Sequence, residues 1–319
     1  MLFPYRLEPG DTVDIVAPAS ACSEWELLQG LKCIERLGLV PRYSDHFIDS
    51  MYEYMAQTDD FRFQDLKRAI SAPDSRAIWC VRGGYGSLRL IPRLLKLKPP
   101  KQPKIFIGLS DITSLHIFFN EQWGWPTLHG PMLGRLGGKI PPRELIEVEN
   151  LVFGIQDRIV FNYLVPMNRP ARQRKTLRGR VGGGNLLVVH SGQGTKNQLS
   201  GKGRFILIEE INERGYRVDR MLESLHQGGL FNGAKAVIFG DFVGGEEASG
   251  RYLWKETLDR FAEQMKIPVL KGIQSGHGWI QRPVPFESPA VLQLRGRRGE
   301  LTVRWPLRDR PLKNAPGRR

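Results

Sequence analysis

An alternation of two patterns in the first 130 residues constrains the fold of this chain more than any other feature of its sequence. Short apolar runs rich in β-branched residues alternate with longer stretches whose apolar residues recur every three or four positions. This alternation is typical of a parallel sheet covered by helices, an α/β architecture. The predicted strands are residues 13–17, 77–81, 105–109 and 127–129, and the predicted helices are residues 24–37, 61–70, 87–95 and 111–123.

The second half of the chain carries a weaker version of the same alternation. Between residues 134 and 178 periodicity fades while prolines and basic residues accumulate, which indicates a domain connection. We therefore divide the chain into an N-terminal domain (1–160), a connector (161–178) and a C-terminal domain (179–319). Beyond the connector we predict a glycine turn at 182–184, helices at 217–227 and 253–266, and strands at 205–208, 236–239 and around 291–294 and 301–305.

Charge and cysteine content exclude several classes of protein. The formal net charge is +14, but the 319 residues contain no zinc-finger spacing, basic zipper or RNA-binding aromatic motif. We therefore expect the excess charge to form a solvated basic surface, and we do not expect nucleic acid to be the primary partner. No apolar run is long enough for a secretory signal or a membrane span, and the three cysteines lack CxxC spacing. The sequence therefore predicts a cytoplasmic protein, with no membrane partner and with reduced core thiols.

In open α/β sheets ligands bind at the carboxyl ends of the strands, so the turns that follow the predicted strands are the first places to expect functional residues. One of them contains Ser110 and Asp111 in the run GLSDIT. A serine on a strand-to-helix turn exposes its hydroxyl, as a nucleophile elbow requires, although the second glycine of GxSxG is missing here. Capping of the following helix by Ser110 or Asp111 is the alternative.

A glycine-rich turn, RGGYGS at residues 82–87, follows another predicted strand. Glycines allow backbone N–H groups to approach a ligand closely, so this turn suits an oxyanion or a phosphate. It lacks the GK[ST] ending of a P-loop, and no GxGxxG fingerprint opens a βαβ unit, so support for a nucleotide phosphate is weak. A tight turn without a ligand is the alternative.

Two further segments end in ionisable side chains. Glu209 and Glu210 end an apolar strand, where an acid can hold an imidazole or remain solvated. His277 lies between two glycines, which leave its ring accessible, and a plain loop histidine is the alternative. His129, in the run LHGP, is the rival histidine. Neither has the paired-ligand spacing of a metal site.

Seven ordered motifs together resemble one known family, the LD-carboxypeptidases. They are RGGYGS (82–87), GLSDIT (108–113), HGPM (129–132), VGGGNL (181–186), LIEEINERGYRVDRML (207–222), GDF (240–242) and GHG (276–278). The resemblance runs from about residue 14 to residue 294. It implies a flavodoxin-like N-terminal domain and a smaller C-terminal swivelling β/α domain, with the active site between them.

The resemblance also implies a mechanism and a substrate. It assigns Ser110 as nucleophile, Glu209 as triad acid and His277 as base, with the N–H groups of Gly84 and Asp111 as oxyanion hole and with no cofactor or metal. The implied reaction releases the C-terminal D-alanine from a muropeptide tetrapeptide during peptidoglycan recycling, and a homodimer is expected. Leu109, directly before Ser110, and Glu210 depart from the common family pattern. The resemblance therefore implies less about the details of the substrate than about the triad.

A related activity of the same family is the alternative function. Microcin C immunity peptidases cleave acyl-adenylate analogues, which calls for an aromatic platform for adenine. The stretch between residues 134 and 178 offers Phe153, Phe161 and Tyr163 but no tryptophan, which favours the muropeptide. A noncatalytic muropeptide-binding protein is a third hypothesis, and retention of all three triad residue types argues against it.

Overall fold

A parallel sheet organises the N-terminal half of the chain. In this computed structural model, which describes residues 2–44, 52, 54–136 and 142–310, its strands are β1 (Thr12–Val16), β2 (Val40–Arg42), β3 (Ser75–Cys80), β4 (Ile105–Gly108) and β5 (Thr127–His129). They pair in parallel in the order β2-β1-β3-β4-β5. This is the strand order of flavodoxin-like sheets. The predicted α/β architecture of the N-terminal domain is therefore confirmed.

Helices cover both faces of this sheet. They are α1 (Glu24–Arg36), α2 (Asp59–Ser71), α3 (Ile91–Leu94), α4 (Thr113–Trp123), α5 (Leu133–Leu136) and α6 (Pro142–Val152). A capping box starts α1, because Ser23 and Glu26 each accept the other's backbone N–H. The single helix predicted at 87–95 is instead a 3-10 helix, Ser87–Leu90, followed by the short α3. Pro92 explains the difference, since proline cannot donate the hydrogen bond that a helix interior needs.

Alternate side chains of the central strands β1, β3 and β4 enter two separate cores. Along β3, Ala77 and Trp79 pack with residues of α1, while Ile78 and Cys80 pack with residues of α2 and α4. The two-residue period of a strand produces this division. Because both faces are buried, the strands are apolar throughout, which is why they could be recognised in the sequence.

The C-terminal half forms a closed barrel. Its strands are β6 (Arg158–Pro166), β7 (Arg174–Asn185), β8 (Arg204–Ile211), β9 (Ala236–Val243), β10 (Val269–Lys271), β12 (Pro289–Arg295) and β13 (Gly299–Arg304), whereas β11 (Val284–Phe286) lies outside it. The flanking helices are α7 (Leu186–Gly192), α8 (Gly215–Gln227) and α9 (Trp254–Gln264). Along β8, Phe205 and Leu207 belong to the core inside the barrel, and Ile206 and Ile208 pack beneath the helices.

Two predicted features of this half differ from the structure. The connector at 161–178 lies in β6 and the beginning of β7, and both strands pair within the barrel. Alternating Ile159 and Phe161 already face the barrel core, a pattern that the nearby basic residues obscured. The glycine turn at 182–184 is part of β7. Glycine is needed there because a Cβ on Gly183 would lie 1.9 Å from the Leu207 carbonyl oxygen.

The two halves share one sheet. Strand β11 follows β10 in the chain but leaves the barrel and pairs antiparallel with β5, with Val284 opposite His129. We propose a domain division in which residues up to the end of α6, together with β11, form one unit and the barrel with its helices forms the other. In the part of the chain that the structure describes, no helix has the length and apolar character that a membrane crossing requires.

Candidate active site

Ser110 occupies a strained turn at the carboxyl end of β4. Its backbone φ is 67°, in the left-handed region that residues other than glycine seldom adopt. A 3-10 helix begins at this residue and leads into α4. Among the described residues, the Ser110 hydroxyl has no hydrogen-bond partner, and neither of these helices has a side-chain cap. The side chain of Asp111 instead accepts the N–H of Ser87 at 2.8 Å, so the capping alternative fails.

The glycine-rich turn after β3 packs directly on Ser110. A Cβ on Gly83 would lie 2.6 Å from the Cβ of Ser110, and Gly84 has a φ of 94°. Ser20 fixes this turn, because its N–H donates to the Gly83 carbonyl at 2.9 Å and its hydroxyl accepts the N–H of Tyr85 at 3.2 Å. No motif in the sequence marked Ser20. The turn is thus held against Ser110 by contacts that leave no room for a side chain at Gly83.

His277 and Glu209 form a buried pair. The Nδ1 atom of His277 lies 2.7 Å from Oε2 of Glu209, whose side chain is fully buried. Glu209 follows Phe205 and Leu207 on the same side of β8, so it lies at the mouth of the barrel. A Cβ on Gly276 would lie 2.8 Å from the Cβ of Glu209, so the first glycine of the histidine loop allows this contact.

The electrostatic surroundings of His277 favour its charged form. Burial lowers the pKa of His277, but the charge and the hydrogen bond of Glu209 outweigh burial and raise it above the usual 6.5. With Nδ1 bonded to Glu209, the Nε2 atom is left for another partner. No hydrogen bond joins His277 to Ser110 among the described residues, and such contacts are often long in ligand-free sites.

The side chain of Thr113 joins the segment after Ser110 to the strand beside Glu209. The N–H of Asn185, at the end of β7, donates to Oγ1 of Thr113 at 3.1 Å. Asn185 is also the register partner of Glu209 in β8. A Cβ on Gly184 would lie 2.5 Å from the same Thr113 oxygen. The barrel mouth therefore abuts the start of α4, three residues after Ser110.

Glu210 has a different task from its neighbour. It lies in β8 rather than in a loop, and its carboxylate accepts the side-chain N–H of Asn185 and the backbone N–H groups of Leu187 and Ile211 at 2.7 to 2.8 Å. These bonds tie β8 to the beginning of α7. Burial raises the pKa of Glu210 to about 7, against the lowering effect of the N–H donors. Glu210 is therefore a buried, hydrogen-bonded residue and not a solvated acid.

The rival histidine lies within the first sheet. His129 is completely buried in β5, its ring stacks on Phe286, and its Nδ1 atom is 3.3 Å from the Ser275 hydroxyl. Burial holds the pKa of His129 well below 6.5, so the ring is neutral. It forms no hydrogen bond or ion pair with a carboxylate among the described residues. His277, not His129, has the acid partner that a triad base requires.

Two residues without a role in the sequence analysis brace the histidine loop. Asp241, in β9, lies against Gly278, where a Cβ would be 2.5 Å from Oδ2 of Asp241. Burial raises the pKa of Asp241 to about 6, and the nearby charge of Glu209 adds to this effect. Arg135, in α5, donates from Nη2 to the carbonyls of Gly278 and Trp279 at 3.2 and 2.5 Å. The GDF motif marked Asp241 without a role, and no sequence signal marked Arg135.

Metal ligands and reactive thiols form no cluster here. Within the described ranges, His, Cys, Asp and Glu side chains do not assemble in a group of three or more that could hold a metal ion. The three cysteines are buried free thiols, as predicted, and burial raises the pKa of Cys22 to about 12. A thiolate nucleophile is therefore disfavoured at these positions. Ser110 remains the candidate nucleophile, with the Glu209–His277 pair and the glycine turn as its candidate partners.

Comparison with known proteins identifies the family. The model of the LD-carboxypeptidase N-terminal domain matches residues 13–130, and that of the LD-carboxypeptidase C-terminal domain matches residues 178–292. The chain belongs to the LD-carboxypeptidase family. Among its relatives, a Rickettsia conorii protein named provisionally as a carboxypeptidase is 35% identical over 87% of this chain and 86% of its own length. A murein tetrapeptide carboxypeptidase of Pseudomonas aeruginosa is 30% identical, covering 88% of this chain and 92% of its own.

Solved structures share the fold of this LD-carboxypeptidase family member. A muramoyltetrapeptide carboxypeptidase from Oxalobacter formigenes superposes with a TM-score of 0.79 at 23% identity, over 93% of this chain and 100% of that one. An MccF-like protein from Bacillus anthracis superposes with a TM-score of 0.80 at 21% identity, over 96% of this chain and 100% of that one. At these identities the likeness establishes the two-domain fold alone.

Proposed function

We propose that this chain is a cytoplasmic serine carboxypeptidase that hydrolyses the L,D peptide bond before the C-terminal D-alanine of muropeptide tetrapeptides, in peptidoglycan recycling. The observation that carries the proposal is the buried pair of Glu209 and His277, 2.7 Å apart, in a family member whose Ser110 lies on a strained, glycine-lined turn. The Pseudomonas aeruginosa relative, named a murein tetrapeptide carboxypeptidase, supports the choice of substrate.

The proposed mechanism assigns a role to each of these groups. His277 accepts the hydroxyl proton of Ser110 as the oxygen attacks the scissile carbonyl, and Glu209 stabilises the imidazolium. The N–H groups of Gly84 and Asp111 stabilise the oxyanion, each contributing about 2.7 to 4 kcal/mol in comparable sites. The imidazolium then protonates the leaving amine of D-alanine. Water, activated by His277, hydrolyses the acyl-enzyme and restores Ser110.

The test is direct. UDP-MurNAc-tetrapeptide is incubated with the protein and analysed by mass spectrometry. The tetrapeptide should lose one alanine with the wild-type protein and none with the Ser110→Ala variant. A pentapeptide substrate serves as control for position of cleavage. If the tetrapeptide stays intact but still protects the chain from thermal unfolding, the noncatalytic binding hypothesis replaces the proposal. Light scattering checks the homodimer that we propose by analogy with the family.

One observation favours a second candidate, cleavage of acyl-adenylate analogues as in microcin C immunity. Trp279, two residues after His277, is 76% exposed, and an exposed indole can stack a nucleobase. The aromatic residues of the 134–178 stretch are less suitable, since Phe161 is buried in the barrel and Tyr163 lies under Arg298. An aminoacyl sulfamoyl adenosine in the same assay decides between the two, because faster cleavage of the adenylate analogue would favour this candidate.

A further inference from the structure

A cavity between the glycine turn and the histidine loop has the character of a small anion site. Its volume is about 180 Å³, and it is lined by Cys22, Glu26, Val81, Arg82, Met132, Gly134 and Arg135. This is smaller than the roughly 300 to 1,000 Å³ of sites for drug-sized ligands, and it suits a single small residue. Two arginines against one glutamate give its lining an excess of positive charge.

The cavity adjoins both halves of the candidate active site. Arg82 immediately precedes Gly83, whose backbone packs on Ser110. Arg135 donates to the carbonyls of Gly278 and Trp279, directly after His277. The N–H of Gly134 also bonds to the carbonyl of Val81 at 3.0 Å, which closes the cavity between the two segments. The lining is therefore connected both to the turn that packs on Ser110 and to the loop that carries His277.

Both arginines lack a carboxylate partner. Among the described residues neither forms an ion pair, and Arg82 donates a long hydrogen bond of 3.4 Å to the Ala21 carbonyl. The Nε atom of Arg135 is buried without any partner. Burial lowers the pKa of Arg135, although Glu144 and Asp241 act in the opposite direction. Arg82 is exposed and Arg135 is half-buried. The buried, unpaired Nε of Arg135 gains from a bound anion, and carboxylates match the geometry of a guanidinium.

We propose that Arg82 and Arg135 bind the terminal carboxylate of the substrate, so that this cavity holds the leaving D-residue. The inference rests on the proposed carboxypeptidase function and adds the group that selects a chain end over an internal bond. Val81 and Met132 provide an apolar wall for a small side chain such as a methyl group. Glu26 is engaged by the N–H and hydroxyl of Ser23, which limits its repulsion of the carboxylate.

The test compares a tetrapeptide with its C-terminal amide. Wild-type protein should cleave the acid faster. Arg82→Gln should lower kcat/KM for the acid by roughly 10- to 100-fold, mostly through KM, because a charge-assisted hydrogen bond is lost. In this variant kcat/KM for the amide should change less than about twofold, because the amide has no terminal carboxylate for Arg82 to bind. Arg82→Lys should recover part of the loss.

Matched controls separate this role from structural effects. Arg178 is exposed on β7, seven residues and therefore roughly 23 Å before Asn185, so Arg178→Gln removes one charge without touching the cavity. Arg135→Gln should lower turnover of both peptides, because it also loosens the histidine loop. A tetrapeptide with lysine at the third position tests whether a carboxylate of the third residue, rather than the terminal one, is the group bound.

The outcomes are distinct. Equal rates on acid and amide in the wild type, or equal losses on both in Arg82→Gln, would overturn the inference while leaving the proposed function intact. Equal losses in Arg82→Gln on the acid and the amide that disappear with the lysine peptide would assign the arginines to the third residue instead. If the wild-type chain cleaves neither peptide, the proposed function fails and this inference with it.

Discussion

The pair of adjacent glutamates offers the sharpest test of the site. Glu209→Gln keeps the shape of the side chain but removes the charge 2.7 Å from Nδ1 of His277. The pair is screened little, because Glu209 is fully buried and the His277 side chain is 12% exposed. Loss of the triad acid in a serine protease lowers kcat by about 10⁴-fold, or about 5.4 kcal/mol, through the wrong tautomer. We expect a loss of that order.

Glu210→Gln is the matched control. Its carboxylate accepts N–H groups at the start of α7 and forms no hydrogen bond with His277, so turnover should stay within about threefold. Both variants are assayed on the same tetrapeptide by release of D-alanine, with circular dichroism to confirm folding. A Glu209→Gln enzyme within tenfold of wild type, or a larger loss in Glu210→Gln, would refute the assignment.

The pH profile supplies a second readout. As base, His277 must be neutral, so kcat/KM should rise with pH through its pKa, which Glu209 raises above 6.5. Glu209→Gln removes the raising influence and keeps the burial. The acidic limb of the residual activity should therefore move to lower pH. A limb that stays in place would mean that Glu209 does not set the ionisation of His277.

Three further outcomes are expected. Ser110→Ala should abolish turnover with little change in the unfolding temperature, since it removes one hydroxyl that has no partner among the described residues. His277→Gln should be inactive, whereas folded His129→Gln should retain most activity per molecule, and the opposite ranking in the D-alanine assay would reverse the choice of base. Because the pKa of Glu210 rises from 4.5 unfolded to about 7 folded, the native state binds the extra proton, and the free energy of unfolding should fall as pH rises between these values. Denaturant titration should show a flatter pH dependence in Glu210→Gln.

Much of the N-terminal fold could be predicted because its strands are buried on both faces. Runs such as residues 105–109 are apolar throughout, and the helices between them carry regular apolar stripes. The barrel was harder. Strand β6 buries alternate residues only, and its neighbours Arg172 and Arg174 gave the stretch the composition of a linker. The glycines of β7 resemble a turn until the carbonyl of Leu207 shows why side chains are excluded.

The site was predictable where it depends on residue type at a strand end. Ser110 lies just beyond the end of β4, and Glu209 lies near the end of β8, whereas His277 lies in the loop between β10 and β11. The structure joins Glu209 and His277 directly. The different partners of Glu209 and Glu210 are consistent with the alternation of side chains along a strand. Arg135, Asp241 and Ser20 could not be found this way. Their contacts with the histidine and glycine loops depend on segments that only the tertiary fold brings together.

Strand β11 has a consequence for how the chain can be divided. A fragment that ends before β6 would leave the edge of β5 without its antiparallel neighbour, and unpaired edges of this kind promote aggregation. The two halves therefore cannot be separated before β6 without loss of this strand pairing, despite their separate cores. Mixed with a fragment containing the barrel and β11, the N-terminal fragment should regain its missing strand by β-augmentation. Enzyme activity would then report fragment complementation, and cutting the chain between α6 and β6 would give a split reporter.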